Sequence, residues 1–342
     1  MLHLAQIGVG YWGKNLLRNF LEMRAAEVLA ICDIDTSARE WAARRHPQLQ
    51  IYGQAEEIFA DERLEAVAIA TSPESHFALA RAALLAGKHV FVEKPMARSV
   101  AECSELIVLA EQQRRVLMVG HTFLYNAAVN RVREYIQSGE LGEIYYVYSQ
   151  RLNLGRVRQD VDAMWNFAPH DLSIIVHCLQ QMPARVAARG SAYLQKGIAD
   201  VAFMQLEFAS GVTAHVHVSW LDPGKVRRMT VVGSEKMVVY DDVAPDHKVQ
   251  VFDRGITRQN LSASLGDFDS FGKFQLIQRA GDVLLPKVDF VEPLKAQGQH
   301  FVDCVLHQRR PVSDGENGRQ IVRILEAASA SMRQGGGMIA LG

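Results

Sequence analysis

Three glycines near the N-terminus, Gly8-x-Gly10-x-x-Gly13, follow an apolar run and open an amphipathic stretch. Glycine at those places permits a tight turn, close approach of the backbone to a pyrophosphate, and close contact between helix and strand. The start of the helix would present free N–H groups and a partial positive charge to phosphate oxygens. Tyr11 and Trp12 share this turn and join the expected cofactor contacts. Asp33 ends the next apolar run about twenty residues on, where a carboxylate can accept hydrogen bonds from the adenosine ribose hydroxyls. It would repel the 2′-phosphate of NADP, so the expected cofactor is NAD. Arg39 lies close enough to keep NADP as an alternative, but reads better as a solvated helix residue.

Other side chains carry weaker chemical signals. Arg151, Asn153, Arg156 and Arg158 form a basic tract that could meet phosphate or carboxylate oxygens, Arg being suited to bidentate contacts. Each is equally well explained as part of a solvated loop. His215 and His217 alternate on an apparent strand and could form half of a metal site, but no third ligand is near, so no metal is expected. Cys32, Cys103, Cys178 and Cys304 are far apart and form no Cys-x-x-Cys pair. That spacing fits reduced, buried thiols better than a disulfide framework or a zinc site.

The elements that must position these groups come in two textures. Apolar runs at 2–7, 28–32, 66–70, 89–92 and 116–119 alternate with helical patterns at 14–23, 75–86 and 99–113. This predicts a doubly wound parallel sheet covered on both faces. Beyond residue 142 the runs 144–153, 184–194, 201–208, 212–220, 227–232 and 237–240 read as successive strands, several with apolar–polar alternation. They predict an open, mostly antiparallel sheet with one buried face. A helix is expected over about 169–181, and two more over about 293–307 and 317–334. The expected division is a Rossmann α/β domain over 1–122 and an α+β substrate-binding and oligomerisation domain over 123–342, whose last helix could pack back on the first domain.

Glu93-Lys94-Pro95 after the fourth run, added to the glycine motif and the β-rich second half, resembles the Gfo/Idh/MocA oxidoreductase family over essentially the whole chain. Thr71-Ser72-Pro73-x-x-His76 resembles that family's nicotinamide-side loop, and Gly120-His121 with Tyr125-Asn126 its crossover into the second domain. The resemblance implies that Lys94 lies beside the nicotinamide and the reacting hydroxyl, where an ammonium would stabilise developing alkoxide charge. It also places Glu93 among the cofactor contacts and His121, Tyr125 and Trp165 around the substrate. Relatives that act on inositol carry an Asp four residues before a His that serves as general base. The spacing here gives Asn166 and His170, so the His matches and the carboxylate does not. A neutral Asn cannot stabilise an imidazolium as a carboxylate does. The adjacent Asp171 is expected to point elsewhere.

The tracts 148–156 and 165–171 are most similar to members that oxidise C3 of a UDP-linked N-acetylated sugar. The resemblance therefore implies UDP-N-acetylglucosamine or its uronic acid as substrate, with inositol or a free monosaccharide as the rival. A ligand sensor that kept the fold and lost catalysis is the non-enzyme alternative. A formal net charge of −1 in 342 residues gives no dominant attraction to nucleic acid or an anionic membrane. The N-terminal residues show no leader pattern, so the expected setting is cytoplasmic. The exposed face of the second sheet predicts a homodimer or homotetramer.

Overall fold

The strand–glycine–helix run at the N-terminus begins a six-stranded parallel sheet in the computed structural model, which describes residues 1–155, 157–258 and 276–341. Its elements alternate as β1 (Leu2–Ile7), α1 (Gly13–Leu21), β2 (Ala26–Cys32), α2 (Thr36–Arg45), β3 (Gln50–Tyr52), α3 (Ala55–Ala60), β4 (Ala66–Ile69), α4 (Pro73–Leu85), β5 (His89–Val92), α5 (Val100–Gln113) and β6 (Leu117–Val119). Their order in space is β3-β2-β1-β4-β5-β6. The order reverses between β1 and β4, so a crevice opens at the carboxyl ends of these two strands, where open α/β sheets bind ligands. The apolar strands Ala66–Ile69 and His89–Val92 are buried on both faces, as a sheet covered by helices requires.

A 3₁₀ turn (Thr122–Tyr125) leads into α6 (Ala127–Gln137), β7 (Ile144–Leu152), α7 (Ala163–Leu179), β8 (Pro183–Ser191), β9 (Val201–Phe208), β10 (Thr213–Ser219), β11 (Val226–Gly233), β12 (Met237–Asp241), β13 (Val249–Arg258) and β14 (Leu276–Leu284). The chain closes with α8 (Pro293–Leu306), α9 (Gly315–Arg333) and β15 (Ile339–Ala340). The second sheet has nine strands in the order β14-β13-β12-β11-β7-β10-β9-β8-β15. β7 and β10 pair in parallel and the other neighbours run antiparallel. The fold is thus a Rossmann α/β layer joined to an α+β layer, as the alternation and the later strand run imply.

Alternation along β7 sends Val147, Ser149 and Arg151 inward, towards α7, and turns Tyr146 and Tyr148 outward. The register puts His215 and His217 on the same outer face, where His217 stacks on its cross-strand partner Phe203 at 4.2 Å. Among the described residues no three His, Cys, Asp or Glu side chains converge as a metal set. All four cysteines are buried and free. No described helix is long and apolar enough to cross a membrane.

Two placements differ from the sequence expectation. The helix expected over about 169–181 starts six residues earlier, at Ala163, because the Asp162 carboxylate caps it by accepting from the Trp165 N–H at 2.8 Å. Pro169, read from sequence as a helix start, lies inside the helix, where it offers no N–H to the carbonyl one turn earlier. Second, the sequence reading did not pick out β3, β13, β14, β15, α2, α3 or α6. From the far end of the chain, α8 buries Leu294, Phe301 and Val302 under the first sheet with Phe20 and Phe91. Those three phenylalanine rings meet edge to face at 5.8 to 6.4 Å.

Candidate active site

The glycine turn shows why each glycine is needed. Gly8 has φ +93°, and a Cβ there would lie 2.7 Å from the Ala70 carbonyl. A Cβ on Gly13 would collide with the Gly8 carbonyl, so α1 starts in contact with the end of β1. A Cβ on Gly10 would meet nothing within 4 Å, so this backbone lies open to the cleft. The cleft has a volume of about 1220 Å³ and is lined by Gly8, Gly10, Asp33, Thr71 and Ser72, with residues 157–160 completing its wall.

Asp33 Oδ2 accepts from the Val9 N–H at 2.8 Å and Oδ1 from the Asp35 N–H at 2.9 Å, which fixes the carboxylate on the cleft wall. Arg39 is occupied: its Nη1 donates to the Asp33 and Ile34 carbonyls at 2.8 and 2.9 Å. These features fit a dinucleotide, with a carboxylate for the ribose hydroxyls and open backbone for the phosphates.

A second cavity of about 600 Å³ adjoins the cleft and shares Tyr11, Trp12, Thr71, Asn153 and Arg158 with it. Lys94, Asn166 and His170 also line it, together with Asn126, Arg227 and Asp242. Lys94 leaves the carboxyl end of β5, and its Nζ donates to the main-chain carbonyl of Asn166 at 2.9 Å. Burial brings the ammonium down to about 8; the Glu93 carboxylate opposes that fall and the Arg158 and Arg151 charges add to it. The early start of α7 puts Asn166 and His170 one turn apart on the same helical face.

Burial holds His170 well below the usual imidazole range, with the charges of Lys94, Arg151 and Arg227 acting in the same direction. Its ring meets Phe123 edge-on at 5.1 Å, and its Nδ1 is buried without a hydrogen-bond partner. The Asn166 side chain therefore does not anchor the imidazole in this geometry. Asp171 points away from it, accepting from Ser149 Oγ at 2.5 Å and Arg151 Nε at 2.6 Å. Arg151 in turn lies over the Phe123 ring at 4.7 Å. A buried ion pair thus holds the aromatic ring that packs on His170, while its cation disfavours protonation of that histidine.

Glu93 is largely buried in the cavity wall and accepts from Trp12 Nε1 at 2.8 Å and from the Lys94 N–H at 3.3 Å. Its own desolvation raises it above the ordinary carboxylate range. His76 sits behind the wall, with Nδ1 2.8 Å from the Pro95 carbonyl and Nε2 3.3 Å from that of Thr71. It braces two site loops and does not face the cavity. Burial keeps it below the usual range. Pro73 opens α4 beside that loop and lines the second cavity.

Two residues read as substrate contacts, His121 and Tyr125, are placed differently from the sequence expectation. His121 is buried with Nδ1 2.6 Å from Asn317 Oδ1, and burial lowers it to about 4. Tyr125 is 3.0 Å from Ser313 Oγ, and neither residue lines the cavity. From this segment Thr122, Phe123 and Asn126 do so instead. Trp165 lines the cavity while its Nε1 donates to Ser329 Oγ at 2.9 Å. Arg151 lines the cavity too, with its guanidinium paired to Asp171 as above. Asn153 lines both spaces, and its Oδ1 is buried without a partner. Arg158 lines both as well, held by Asp160 through Nε at 2.8 Å. Arg156 lies outside the described residues.

The sequence reading did not single out Arg227 and Asp242, which pair at 3.2 Å across the β11–β12 hairpin. Arg18 and Glu292, paired at 2.5 Å, also line this cavity.

Residues 2–121 match the profile described as "Oxidoreductase family, NAD-binding Rossmann fold", and residues 129–239 match the GFO/IDH/MocA C-terminal domain. The chain is 27% identical to inositol 2-dehydrogenase of Salmonella typhimurium over 62% of its own length and 65% of that protein. It is 25% identical to UDP-N-acetylglucosamine 3-dehydrogenase of Acidithiobacillus ferrooxidans over 75% of this chain and 79% of that one. The match thus spans less than two-thirds of the inositol dehydrogenase. In fold, it superposes with a TM-score of 0.81 on an oxidoreductase from Agrobacterium radiobacter in complex with NAD⁺, L-tartaric acid and magnesium. That alignment has 22% identity and covers 100% of this chain and 98% of the other.

Breaking the buried Arg151–Asp171 pair leaves an uncompensated cation. Asp171→Ala is expected to cost about 3–5 kcal/mol of stability, read by urea denaturation. A loss below about 1 kcal/mol, the range of an exposed pair, would show that the pair is not holding this wall.

Proposed function

The chain belongs to the Gfo/Idh/MocA oxidoreductase family, and from that premise we propose that it oxidises a ring hydroxyl of a sugar or sugar-like alcohol with NAD. One observation carries the reading: Lys94 and a neutral His170 line a single cavity that continues into the dinucleotide cleft. NAD, when bound, supplies the hydride acceptor. His170 takes the hydroxyl proton at Nε2, the ring nitrogen that is not among the buried, unpartnered atoms. Lys94, fixed by the Asn166 carbonyl, stabilises the negative charge that develops on the oxygen. Burial and the nearby cations keep the imidazole neutral, and Phe123 packs on it under the Arg151 guanidinium.

The substrate proposed first is UDP-N-acetylglucosamine or its uronic acid, oxidised at C3 to a ketone suited to later transamination. The support is the relative named for that activity and the position of Arg158 between cleft and cavity, where a pyrophosphate could reach it. Inositol or a free monosaccharide is the second reading, favoured by the inositol 2-dehydrogenase relative. The outer face of the nine-stranded sheet exposes the stacked pair Tyr146 and Tyr148 together with Phe203. We propose that a second copy of the chain covers it. Light scattering is expected to give a dimer or tetramer, and a monomeric mass would overturn this.

Purified protein incubated with NAD and a panel of UDP-N-acetylglucosamine, its uronic acid, myo-inositol and glucose is expected to reduce the nicotinamide with a UDP-sugar. A coupled ketone trap would pull the equilibrium forward. Lys94→Ala and His170→Ala should each lower turnover on the order of a hundredfold or more while NAD binding persists. Near-normal rates in either variant would sink the assignment. Silence with every alcohol, with NAD bound, would favour a sensor.

The pH profile follows from the two shifted groups. Lys94 loses its proton as pH rises through about 8, so kcat/KM should fall above that value. His170 is already neutral, so no acid limb is expected between pH 6 and 7. Asn166→Asp places a carboxylate one turn before His170 and should raise its pKa. The variant's activity should then decline at lower pH relative to its maximum more than the wild type's does. An unchanged profile from pH 5 to 7 would show that residue 166 has no electrostatic hold on the base.

A further inference from the structure

β1 lies in the middle of the first sheet, between β2 and β4, and Leu2, Leu4, Ala5 and Ile7 along it are buried. Gln6 sits among them with no exposed surface. A primary amide in such a place is costly unless its hydrogen bonds are met. Its Nε2 donates to the Gly8 carbonyl at 2.8 Å and to the Gly13 carbonyl at 2.7 Å. Both partners are acceptors, so the amide can be oriented only with its nitrogen towards them. Its Oε1 is then left buried without a partner.

The two carbonyls belong to the first and third glycines of the turn. One ends the strand and the other lies in the first turn of α1. They are the flanks of the backbone left open at Gly10, and the segments that carry them already touch. Two carbonyl oxygens turned towards one spot repel each other, and two N–H bonds from a single nitrogen remove that repulsion. We propose that Gln6 is a positioning residue for the dinucleotide: it clamps the ends of the glycine turn and presets the turn's open N–H groups for the pyrophosphate. The proposal rests on reading residues 8–13 as the pyrophosphate turn. Gln6 touches no cofactor atom and acts through the shape of the turn, so its contribution is preorganisation.

The test is calorimetric titration of the full chain and of Gln6→Leu and Gln6→Met, which keep the volume and remove both donors. The ligands are NAD, ADP-ribose and adenosine, and melting temperatures are recorded alongside. Loss of two neutral hydrogen bonds should weaken NAD and ADP-ribose about tenfold. Adenosine, which has no pyrophosphate, should bind unchanged, and melting should move little. Gln6→Glu, which turns a carboxylate on the two carbonyls, should weaken NAD further still.

Equal NAD affinity in wild type and Gln6→Leu would overturn the proposal while leaving the cofactor reading intact. Parallel weakening of all three ligands with a large fall in melting temperature, in Leu and Met variants alike, would reduce Gln6 to a core residue and also overturn it. A wild-type chain that binds neither NAD nor ADP-ribose would overturn the cofactor reading itself, and the proposal with it.

Discussion

A buried carboxylate joins the parts of this site. Glu93 holds the Trp12 indole with one oxygen and the Lys94 main chain with the other, so the glycine turn after β1 and the lysine after β5 are fixed against each other. The two strands are not neighbours, since β4 lies between them. Without such a bridge no side-chain hydrogen bond of Glu93 would tie the glycine turn to the Lys94 loop. The bridge leaves no room beyond it: a Cβ on Gly120 would lie 2.8 Å from the Glu93 carboxylate. Gly120 is thus explained by the space that Glu93 needs.

The same logic recurs around the proposed base. Asp171 holds Arg151, Arg151 covers Phe123, and Phe123 packs on His170. Among the described residues no carboxylate pairs with the imidazole, and the histidine is kept neutral by burial and by surrounding cations. Lys94 feels the same surroundings, and its proton is held less firmly than on a free lysine. The proposed base is therefore unprotonated when an alcohol arrives, and the ammonium stands poised close to neutral pH. Burial sets most of this state, and Arg151, which adds to it for both groups, is itself buried beside Asp171.

Much of this was legible in the sequence, for definite reasons. Glycines with steric roles, strands buried on both faces and a Lys at a strand end leave local marks, and the first sheet and its crevice follow from them. The start of α7 was hidden because Pro169 reads as a first-turn residue, whereas the Asp162 cap overrides it. His121 and Tyr125 lie beside a recognisable motif, but the 3₁₀ turn sends them towards Asn317 and Ser313. The Arg227–Asp242 pair could not be read, because fifteen residues separate its members and only hairpin register brings them together. Gln6 carries no signal until its two carbonyl partners are seen. Polar residues in apolar strands are the places where sequence patterning departs from its own rule, and here that departure coincides with the cofactor turn.

The contribution of α8 to the first core bears on how the chain is made. Phe20 and Phe91 emerge early from the ribosome, yet the ring that completes their cluster belongs to Phe301. Until that late segment is synthesised, the part of this sheet face beside α1 that α8 covers stays exposed to chaperones or to misassociation. A fragment ending at the apparent domain boundary would keep that exposure permanently. The N-terminal third is thus a finished binding motif in sequence and an unfinished body in physical terms.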